Sequence, residues 1–255
     1  MATSSSPISP RAAEPAAVIR YPDSDGLPMS DNTLQFDWIG RMKNGFASAC
    51  PDAFVGGDLL WYFREGDPTA RIAPDVLVAF GRPRGDRGSY MQWREGGVVP
   101  QVVVEVWSPG NSFAEQLRKL QDYDALGVEE FIAYDPDRNT FAAFERAANG
   151  RLEIVAATEP WVSPRTGCRF VPGKDTLRAY GPTGDLFRTG EEMRTDELLL
   201  EARLRDLAAR AEEQTARAEE QAARAEEQTA RAEEQIARAA KLEAQLRALG
   251  IDPAG

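Results

Sequence analysis

The sequence predicts a mixed α/β (α+β) fold, a β-sheet flanked by helices, followed by a long C-terminal α-helix or coiled coil. Apolar runs such as VVVEVW lack polar alternation, which is typical of strands covered on both faces. Segments with helical periodicity and capping signals alternate with these runs, as expected for helices packed on a sheet. Seven-residue repeats fill much of the C-terminal quarter and predict a separate helix.

These changes of pattern divide the 255-residue chain into one domain and its appendages. Residues 1–20 are rich in Ser, Pro and Ala, and predict a disordered tail. We expect the globular domain over 21–188, the repeat helix over 191–249 and a short tail over 250–255.

The first elements follow from the spacing of apolar residues. MSDNTLQFDWIGRMKNGFASAC predicts an amphipathic helix, and AFVGGDLLWYF and IAPDVLVAF predict strands. A polar, turn-rich segment over 81–97 separates them from the core strand PQVVVEVW. Four apolar residues are expected on one side of the first helix: Leu34, Trp38, Ile39 and Met42.

The second helix is expected within SFAEQLRKLQDYDALG. Ser112 and Glu115 form a capping box, and Gly127 is a C-terminal stop signal. Three strand patterns follow, EEFIAYDP, TFAAFER and RLEIVAA, with a hairpin turn at Asn149–Gly150. The apolar stripe of this helix is formed by Phe113, Leu117 and Leu120. A flanking face carries Gln116, Lys119 and Tyr123.

The repeats ARAEEQT, ARAEEQA, ARAEEQT and ARAEEQI run from Ala209 to Ile236. Each repeat places Glu four residues before Arg, the favourable order for an intrahelical ion pair. The seam between helices would consist mainly of Ala and Thr, which bury little area. Two interpretations therefore stay open: a coiled coil that forms a homo-oligomer such as a dimer, or a single charge-stabilised helix.

Composition excludes several classes of chemistry. The chain contains no histidine, which removes Ser-His-Asp triads, His-ligated zinc and histidine-base nucleases. Cys50 and Cys168 show no metal-ligand spacing and are expected to be reduced. The net charge of −11 argues against a generic polyanion binder, although the part before Glu191 carries only −5. Without a membrane-spanning stretch or a secretory signal, we expect a cytoplasmic protein with no membrane partner.

Two acids interrupt adjacent predicted strands, Asp75 in IAPDVLVAF and Glu105 in VVVEVWSP. A lone buried carboxylate is unfavourable unless it is paired, hydrogen-bonded or bound to a metal. If both acids project to the same side, a cation is needed to join them, and hard oxygen ligands favour Mg²⁺ or Mn²⁺. Lys119, on the helix after Glu105, is the third candidate, because a lysine there orients or deprotonates water or stabilises transition-state charge.

These residues belong to motifs that resemble those of a known family. P-D at 74–75, E-V-W-S-P at 105–109, and K-x-x-x-Y at 119–123 followed by GVEEFIAYDP resemble the Uma-two family of restriction endonucleases. That family belongs to the P-D…(D/E)-x-K nuclease superfamily. The resemblance covers roughly Tyr21 to Arg146.

The resemblance implies a restriction-endonuclease-like core that hydrolyses DNA with Mg²⁺ or Mn²⁺. It makes Asp75 and Glu105 metal ligands, and it supplies Lys119 from the following helix, because Trp107 stands where the superfamily lysine is usual. Asp31 is a candidate outer ligand. Supporting residues on the second helix are Glu115, Gln116 and Tyr123. Gln35–Phe36 stands where many relatives carry histidine, and Glu115 where aspartate is usual.

The 81–97 segment interleaves basic and aromatic residues. Such a pattern beside a metal site holds phosphates and stacks bases, but an ordinary solvated loop is an equal alternative. The candidate nucleic-acid contacts are Arg82, Arg84, Arg87, Arg94 and Trp93.

Each member of the predicted trio also has a purely structural interpretation. Asp75 after proline caps a turn, Glu105 pairs with an arginine such as Arg118, and Lys119 is a solvated helix residue. The leading hypothesis is a Mg²⁺-dependent endodeoxyribonuclease. The alternatives are a scaffold protein that keeps the fold and acts through its coiled coil, and metal-free glycoside hydrolysis by a carboxylate pair.

Overall fold

A computed structural model describes residues 19–24, 26, 30 and 32–248. The predicted tails therefore lie outside the described residues, except for positions 19 and 20. The chain forms two compact units, the first ending at Met193 and the second beginning at Arg194.

The described elements are α-helices, one 3-10 helix and short strands, with most strands in two runs after the first and second α-helices. The three α-helices are α1 (Thr33–Ala49), α2 (Phe113–Leu126) and α3 (Gly190–Ala248), and a 3-10 helix spans Gln92–Glu95. The strands are β1 (Ala53–Gly57), β2 (Trp61–Tyr62), β3 (Arg71–Ile72), β4 (Val76–Phe80), β5 (Tyr90–Met91), β6 (Val102–Val106), β7 (Glu130–Asp135), β8 (Thr140–Arg146), β9 (Leu152–Ala156), β10 (Trp161–Val162), β11 (Arg169–Pro172) and β12 (Leu177–Tyr180).

A six-stranded mixed sheet organises the first unit, in the order β1-β4-β6-β7-β8-β9. β6 and β7 are parallel, whereas the other neighbouring strands are antiparallel. Parallel neighbours need a crossover connection, and α2 provides it between β6 and β7. The mixed sheet with its helices confirms the predicted fold class.

The two faces of this sheet carry separate cores. Val102, Val104 and Val106 of β6 pack in the core that contains α1 residues and the sheet β10-β11-β12. Val103 packs in the other core, which contains Tyr123 of α2 and residues of β2 and β5. Because side chains alternate along a strand, Glu105 projects from β6 on the α2 side.

The first helix and the first strand pattern need small corrections. Trp38, Ile39 and Met42 are buried as predicted, but Leu34 is 40% exposed, and Phe46 extends the buried face one turn further. AFVGGDLLWYF forms two strands rather than one: β1 joins the central sheet, whereas β2 pairs with β3 and β5 in a small sheet. The chain turns over residues 58–60, between β1 and β2, since these strands belong to different sheets.

The second helix has the predicted caps but buries a different face. The capping box of Ser112 and Glu115 is present, and Gly127 ends α2 with a φ of 90°. The predicted apolar stripe is wrong at Phe113, which is 79% exposed, and at Leu117, which is 43% exposed. Leu120 packs against the core, and Tyr123 is fully buried. The polar flank faces the sheet because it carries the hydrogen-bond donors that the buried Glu105 needs.

The 81–97 segment has more structure than a polar loop. It contributes β5, which pairs in parallel with β2, and a fully buried Tyr90. The Tyr90 hydroxyl donates to the carbonyl of Val98 at 2.9 Å. The segment therefore closes the core on the α2 side of the sheet.

In the second unit, the repeats form one continuous helix within α3, whose side chains are exposed throughout the described residues. Predicted pairs are present between Glu213 and Arg217 and between Glu220 and Arg224, each at 2.6 Å. Association of this helix stays a prediction. Among the described residues, no helix combines the length and apolar character needed to cross a membrane.

Candidate active site

The sheet register brings the two predicted acids level with each other. Val76 of β4 lies opposite Val104 of β6 in an antiparallel pair. The next step along this register places Asp75 opposite Glu105, and directly opposed residues project to the same face. Asp75 Oδ2 accepts a 2.6 Å hydrogen bond from the backbone N–H of Val106. Asp75 therefore spans the strands rather than capping a turn.

Glu105 is 1% exposed and both of its oxygens have donors. Lys119 Nζ lies 2.6 Å from Oε2, and the Tyr123 hydroxyl donates to Oε1. Lys119 Nζ also donates to the carbonyl of Ala73 at 3.2 Å. These contacts offset the desolvation of the carboxylate, and they come from Lys119 rather than from Arg118.

Helix geometry explains why α2 supplies both donors. Lys119 and Tyr123 are four residues apart, so they lie on the same face of the helix. The Lys119 ammonium also lies 5.7 Å from the centroid of the Trp107 ring. Trp107, two residues after Glu105 along the chain, thus packs beside the amino group.

The electrostatics of the cluster set distinct protonation states. Burial, followed by the charge of Glu105, raises the pKa of Asp75 well above its ordinary value, and Lys119 offsets only part of this. Burial lowers the pKa of Lys119, but the charges of Glu105 and Asp75 raise it by more than burial lowers it, so the net shift is upward. Burial and the Glu105 charge raise the pKa of Tyr123 well above its ordinary value.

Those shifts distinguish between the roles open to Lys119. A lysine with a raised pKa stays protonated, so it donates hydrogen bonds and positive charge but is a poor base. Tyr123 stays neutral and acts as a donor to Glu105. The raised pKa of Asp75 favours its protonated form, and added positive charge beside Asp75 would oppose that shift.

A third acid, Asp58, stands beside this pair and was missed from the sequence. Its N–H donates to the carbonyl of Asp75 at 2.9 Å, and its charge raises the pKa of both Asp75 and Lys119. Asp58 has a φ of 45°, a left-handed conformation uncommon for residues other than glycine. The signal in the sequence was GGD, because its two glycines end β1 and Asp58 follows them directly. β1 pairs with β4, the strand that begins just after Asp75.

The first helix contributes one buried polar side chain to the surroundings of the acids. Gln35 Nε2 donates to the carbonyl of Val106 at 2.7 Å. The peptide groups on either side of Val106 are therefore held by Asp75 and by Gln35. Gln35 thus supports the strand end that follows Glu105.

The segment that carries this geometry matches a family model. The model, Uma2, is described as "Putative restriction endonuclease" and matches residues 32–178. The chain belongs to the Uma2 family. This confirms the resemblance inferred from the P-D, E-V-W-S-P and K-x-x-x-Y motifs.

A solved structure is also similar to this chain. It is a protein from Anabaena variabilis ATCC 29413 described as a "putative nuclease belonging to DUF820". The two are 16% identical over 53% of this chain and 75% of that one, with a TM-score of 0.42. No curated protein is detectably similar to this chain.

The supporting residues predicted for the Uma2 site are dispersed. Asp31 lies outside the described residues. Glu115 accepts from the N–H of Ser112 at 2.7 Å within the capping box, and this hydrogen bond lowers its pKa. Gln116 lines a cavity of about 220 Å³ together with Trp107 and Phe113. Among the supporting residues that the structure describes, only Tyr123 contacts an acid of the trio.

Three arginines of the 81–97 segment make contacts within the protein. Arg87 pairs with Glu95 at 2.7 Å and lies over the ring of Phe54 at 3.8 Å. Arg82 donates to the carbonyl of Glu95, and Arg84 donates to carbonyls at the end of α1. Arg84 and Arg87 hold the segment against the domain, and Arg82 joins its two ends.

Arg94 differs from the other three. It is exposed, and within the described part of the chain it makes no hydrogen bond or ion pair. Its neighbour Trp93 is partly exposed and packs against Tyr21 with ring centroids 5.1 Å apart. Arg94 is thus the member of the predicted set that is available to a polyanion.

The donor set at the acids fits a hydrated divalent cation. Asp75 and Glu105 are two hard oxygen ligands at one level of the sheet, and burial, followed by the charge of Glu105, raises the pKa of Asp75. Among the described residues, no three Asp, Glu, Cys or His side chains form a metal-binding group. Two protein carboxylates with the remaining positions held by water are typical of Mg²⁺.

Proposed function

We propose that this chain is a divalent-metal-dependent endonuclease that hydrolyses phosphodiester bonds in DNA. The observation that carries the proposal is the buried Glu105, which lies 2.6 Å from Lys119 and level with Asp75 within a restriction-endonuclease family. Asp75 and Glu105 would hold Mg²⁺ or Mn²⁺. When bound, the ion supplies a more acidic water and stabilises charge on phosphoryl oxygens.

Lys119 would stabilise the charge that develops at phosphorus. An ammonium group has three N–H donors, and the structure shows acceptors for two of them, on Glu105 and Ala73. The third remains for a phosphate oxygen or for the attacking water. Because Lys119 is anchored at two points, its charge is positioned before the substrate arrives.

Tyr123 and Gln35 are positioning residues in this proposal. The Tyr123 hydroxyl fixes one oxygen of Glu105, and Gln35 fixes the carbonyl of Val106 on the same strand end. Neither needs to touch DNA. Their effect is to limit the orientations that Glu105 can adopt toward a cation and a phosphate.

Arg94 and Trp93 are the proposed DNA contacts outside the cluster. An exposed guanidinium neutralises a phosphate, and an indole offers a stacking face. Arg82, Arg84 and Arg87 would act indirectly by holding this segment in place. The nuclease domain would span 21–188, with α3 forming a homo-oligomer, and the protein would act in the cytoplasm.

DNA cleavage assays test the proposal most simply. Wild type is incubated with plasmid and with single-stranded DNA, in Mg²⁺, in Mn²⁺ and with chelator. Cleavage is expected with metal, and Glu105→Gln, which keeps the side-chain size but removes the charge, is expected to abolish it. No cleavage by folded wild type on either DNA form would contradict the proposal and favour a scaffold role.

A further inference from the structure

The repeats of α3 present one face for contact with another helix. Placing the small and apolar residues at the seam of a heptad abcdefg assigns every position in the repeats. The a positions are Thr215, Ala222, Thr229 and Ile236, and the d positions are Ala211, Ala218, Ala225, Ala232 and Ala239. All of them are exposed in the described chain. A 59-residue helix without buried side chains leaves this face uncovered.

The ion pairs within the repeats lie away from that face. Glu220 and Arg224, at positions f and c, are 2.6 Å apart, and the pairs one repeat before and after have the same distance. Positions c and f point outward from the seam. The repeat arginines are therefore used on the outside of the helix.

The edges of the seam carry two different polar residues. Every e position in the repeats is glutamate, and no Lys or Arg stands three or four residues from any of them. Every g position is glutamine. The e residues are Glu212, Glu219, Glu226 and Glu233, and the g residues are Gln214, Gln221, Gln228 and Gln235.

We propose that α3 pairs with α3 of a second copy of this chain, parallel and in register. In a parallel pair, g residues face e residues of the other helix. Gln214 then meets Glu219 of the second copy, and the side-chain amide donates to the carboxylate. An antiparallel pair would instead place e against e, which aligns glutamates of like charge along the interface.

The same edges favour two helices over a larger bundle. In two-stranded coils the e and g residues flank the seam and keep contact with water. Additional helices would enclose those positions and desolvate the e glutamates. The charge pattern therefore specifies both the direction and the number of helices.

Parallel pairing has a consequence that rests on the proposed function. The first unit is joined to the N-terminal end of α3, so parallel pairing ties both copies of it to the same end. Antiparallel pairing would tie them to opposite ends of a helix about 88 Å long, at ~1.5 Å per residue. Two sites at one end can cut both strands of a duplex in one encounter.

Disulfide cross-linking of the full chain tests the direction. Ile236→Cys, at an a position, should cross-link to itself, whereas Ala237→Cys, at the neighbouring outward b position, should not. Wild type, with buried Cys50 and Cys168, gives the baseline. In a mixture of Ile236→Cys and Ala211→Cys chains, only 236–236 and 211–211 links are expected. Links between 236 and 211 would overturn the parallel arrangement.

Mass measurement by light scattering over a range of concentrations tests the number of chains. The expected mass is that of two chains, and Ala218→Glu with Ala225→Glu should reduce it to one. A mass of one chain for wild type throughout, or of three or more, would overturn the proposal.

Plasmid cleavage separates this inference from the proposed function. Wild type should yield linear plasmid early, and the Ala218→Glu, Ala225→Glu chain should accumulate nicked plasmid. If neither cuts, the proposed function fails while the cross-links still decide the pairing. If both nick equally, the pairing has no role in double-strand cleavage and that consequence is rejected.

Discussion

Lys119 Nζ lies 2.6 Å from Glu105 Oε2 and links α2 to the middle of the central sheet. The contact joins residues 14 positions apart, and Tyr123 on the next turn binds the other oxygen of the same carboxylate. The crossover from β6 through α2 to β7 makes this possible, because it folds α2 back over the strand that precedes it. One helix thus stabilises the buried acid and positions the lysine.

Removing the lysine charge should destabilise the fold through Glu105. Lys119→Met keeps the length of the side chain but leaves Glu105 without its cation, at a cost of about 1–3 kcal/mol after allowance for the partial exposure of Lys119. Urea unfolding measures the loss. Adding Glu105→Gln should recover part of it, and a double variant with the summed loss of both single changes would show that the two residues do not interact.

Loss of the Tyr123 hydroxyl should affect both stability and activity. Tyr123→Phe removes a buried donor to Glu105, which costs about 1–2 kcal/mol, and looser control of that carboxylate lowers cleavage by about tenfold. The matched control is Tyr134→Phe, which removes a hydroxyl bonded to Asn139 and Leu177 elsewhere in the fold. That variant should lose stability at unchanged cleavage, and equal activity losses in both would argue against a positioning role for Tyr123.

Metal affinity should rise with pH because of Asp75. Burial and Glu105 raise its pKa, so the metal-free protein keeps this proton to a higher pH than an exposed aspartate does, and a cation must displace it. Affinity for Mn²⁺ should therefore strengthen as pH increases until Asp75 is ionised, as measured by calorimetric titration. Asp75→Asn should bind weakly with little pH dependence. The same affinity at every pH in wild type would exclude Asp75 as the displaced acid.

The exposed Arg94 should contribute to DNA affinity without supporting the fold. Arg94→Ala should weaken binding at low salt and reduce the salt slope by about one ion, because it removes one phosphate contact. Arg87→Ala should instead lower thermal stability, since Arg87 pairs with Glu95 and covers Phe54. An unchanged salt slope for Arg94→Ala would place the DNA surface elsewhere.

The sequence predicted the ends of the second helix well, because helix capping depends on local signals. The capping box at Ser112 and the stop at Gly127 need only their neighbours, and both are present. The mixed sheet followed from continuous apolar runs. A helix cap and a continuous apolar run can each be recognised within a few residues of the chain.

The contacts across the sheet were harder to predict. The buried face of α2 depends on what lies opposite it, and amphipathic periodicity favoured Phe113 and Leu117 over Tyr123. Asp58 joins the site only because β1 pairs with β4, a register that sequence spacing alone does not give. The neighbours of a charged residue at a strand end depend on which strands pair, and that pairing is set by the topology of the sheet.

The most direct test of the central claim is the rate of metal-dependent plasmid cleavage by Lys119→Ala. The control is Lys174→Ala, which removes an exposed lysine in the loop between β11 and β12, and circular dichroism checks that both variants fold. Lys119→Ala is expected to lose cleavage, while Lys174→Ala retains the wild-type rate. Wild-type cleavage by folded Lys119→Ala would contradict the central claim.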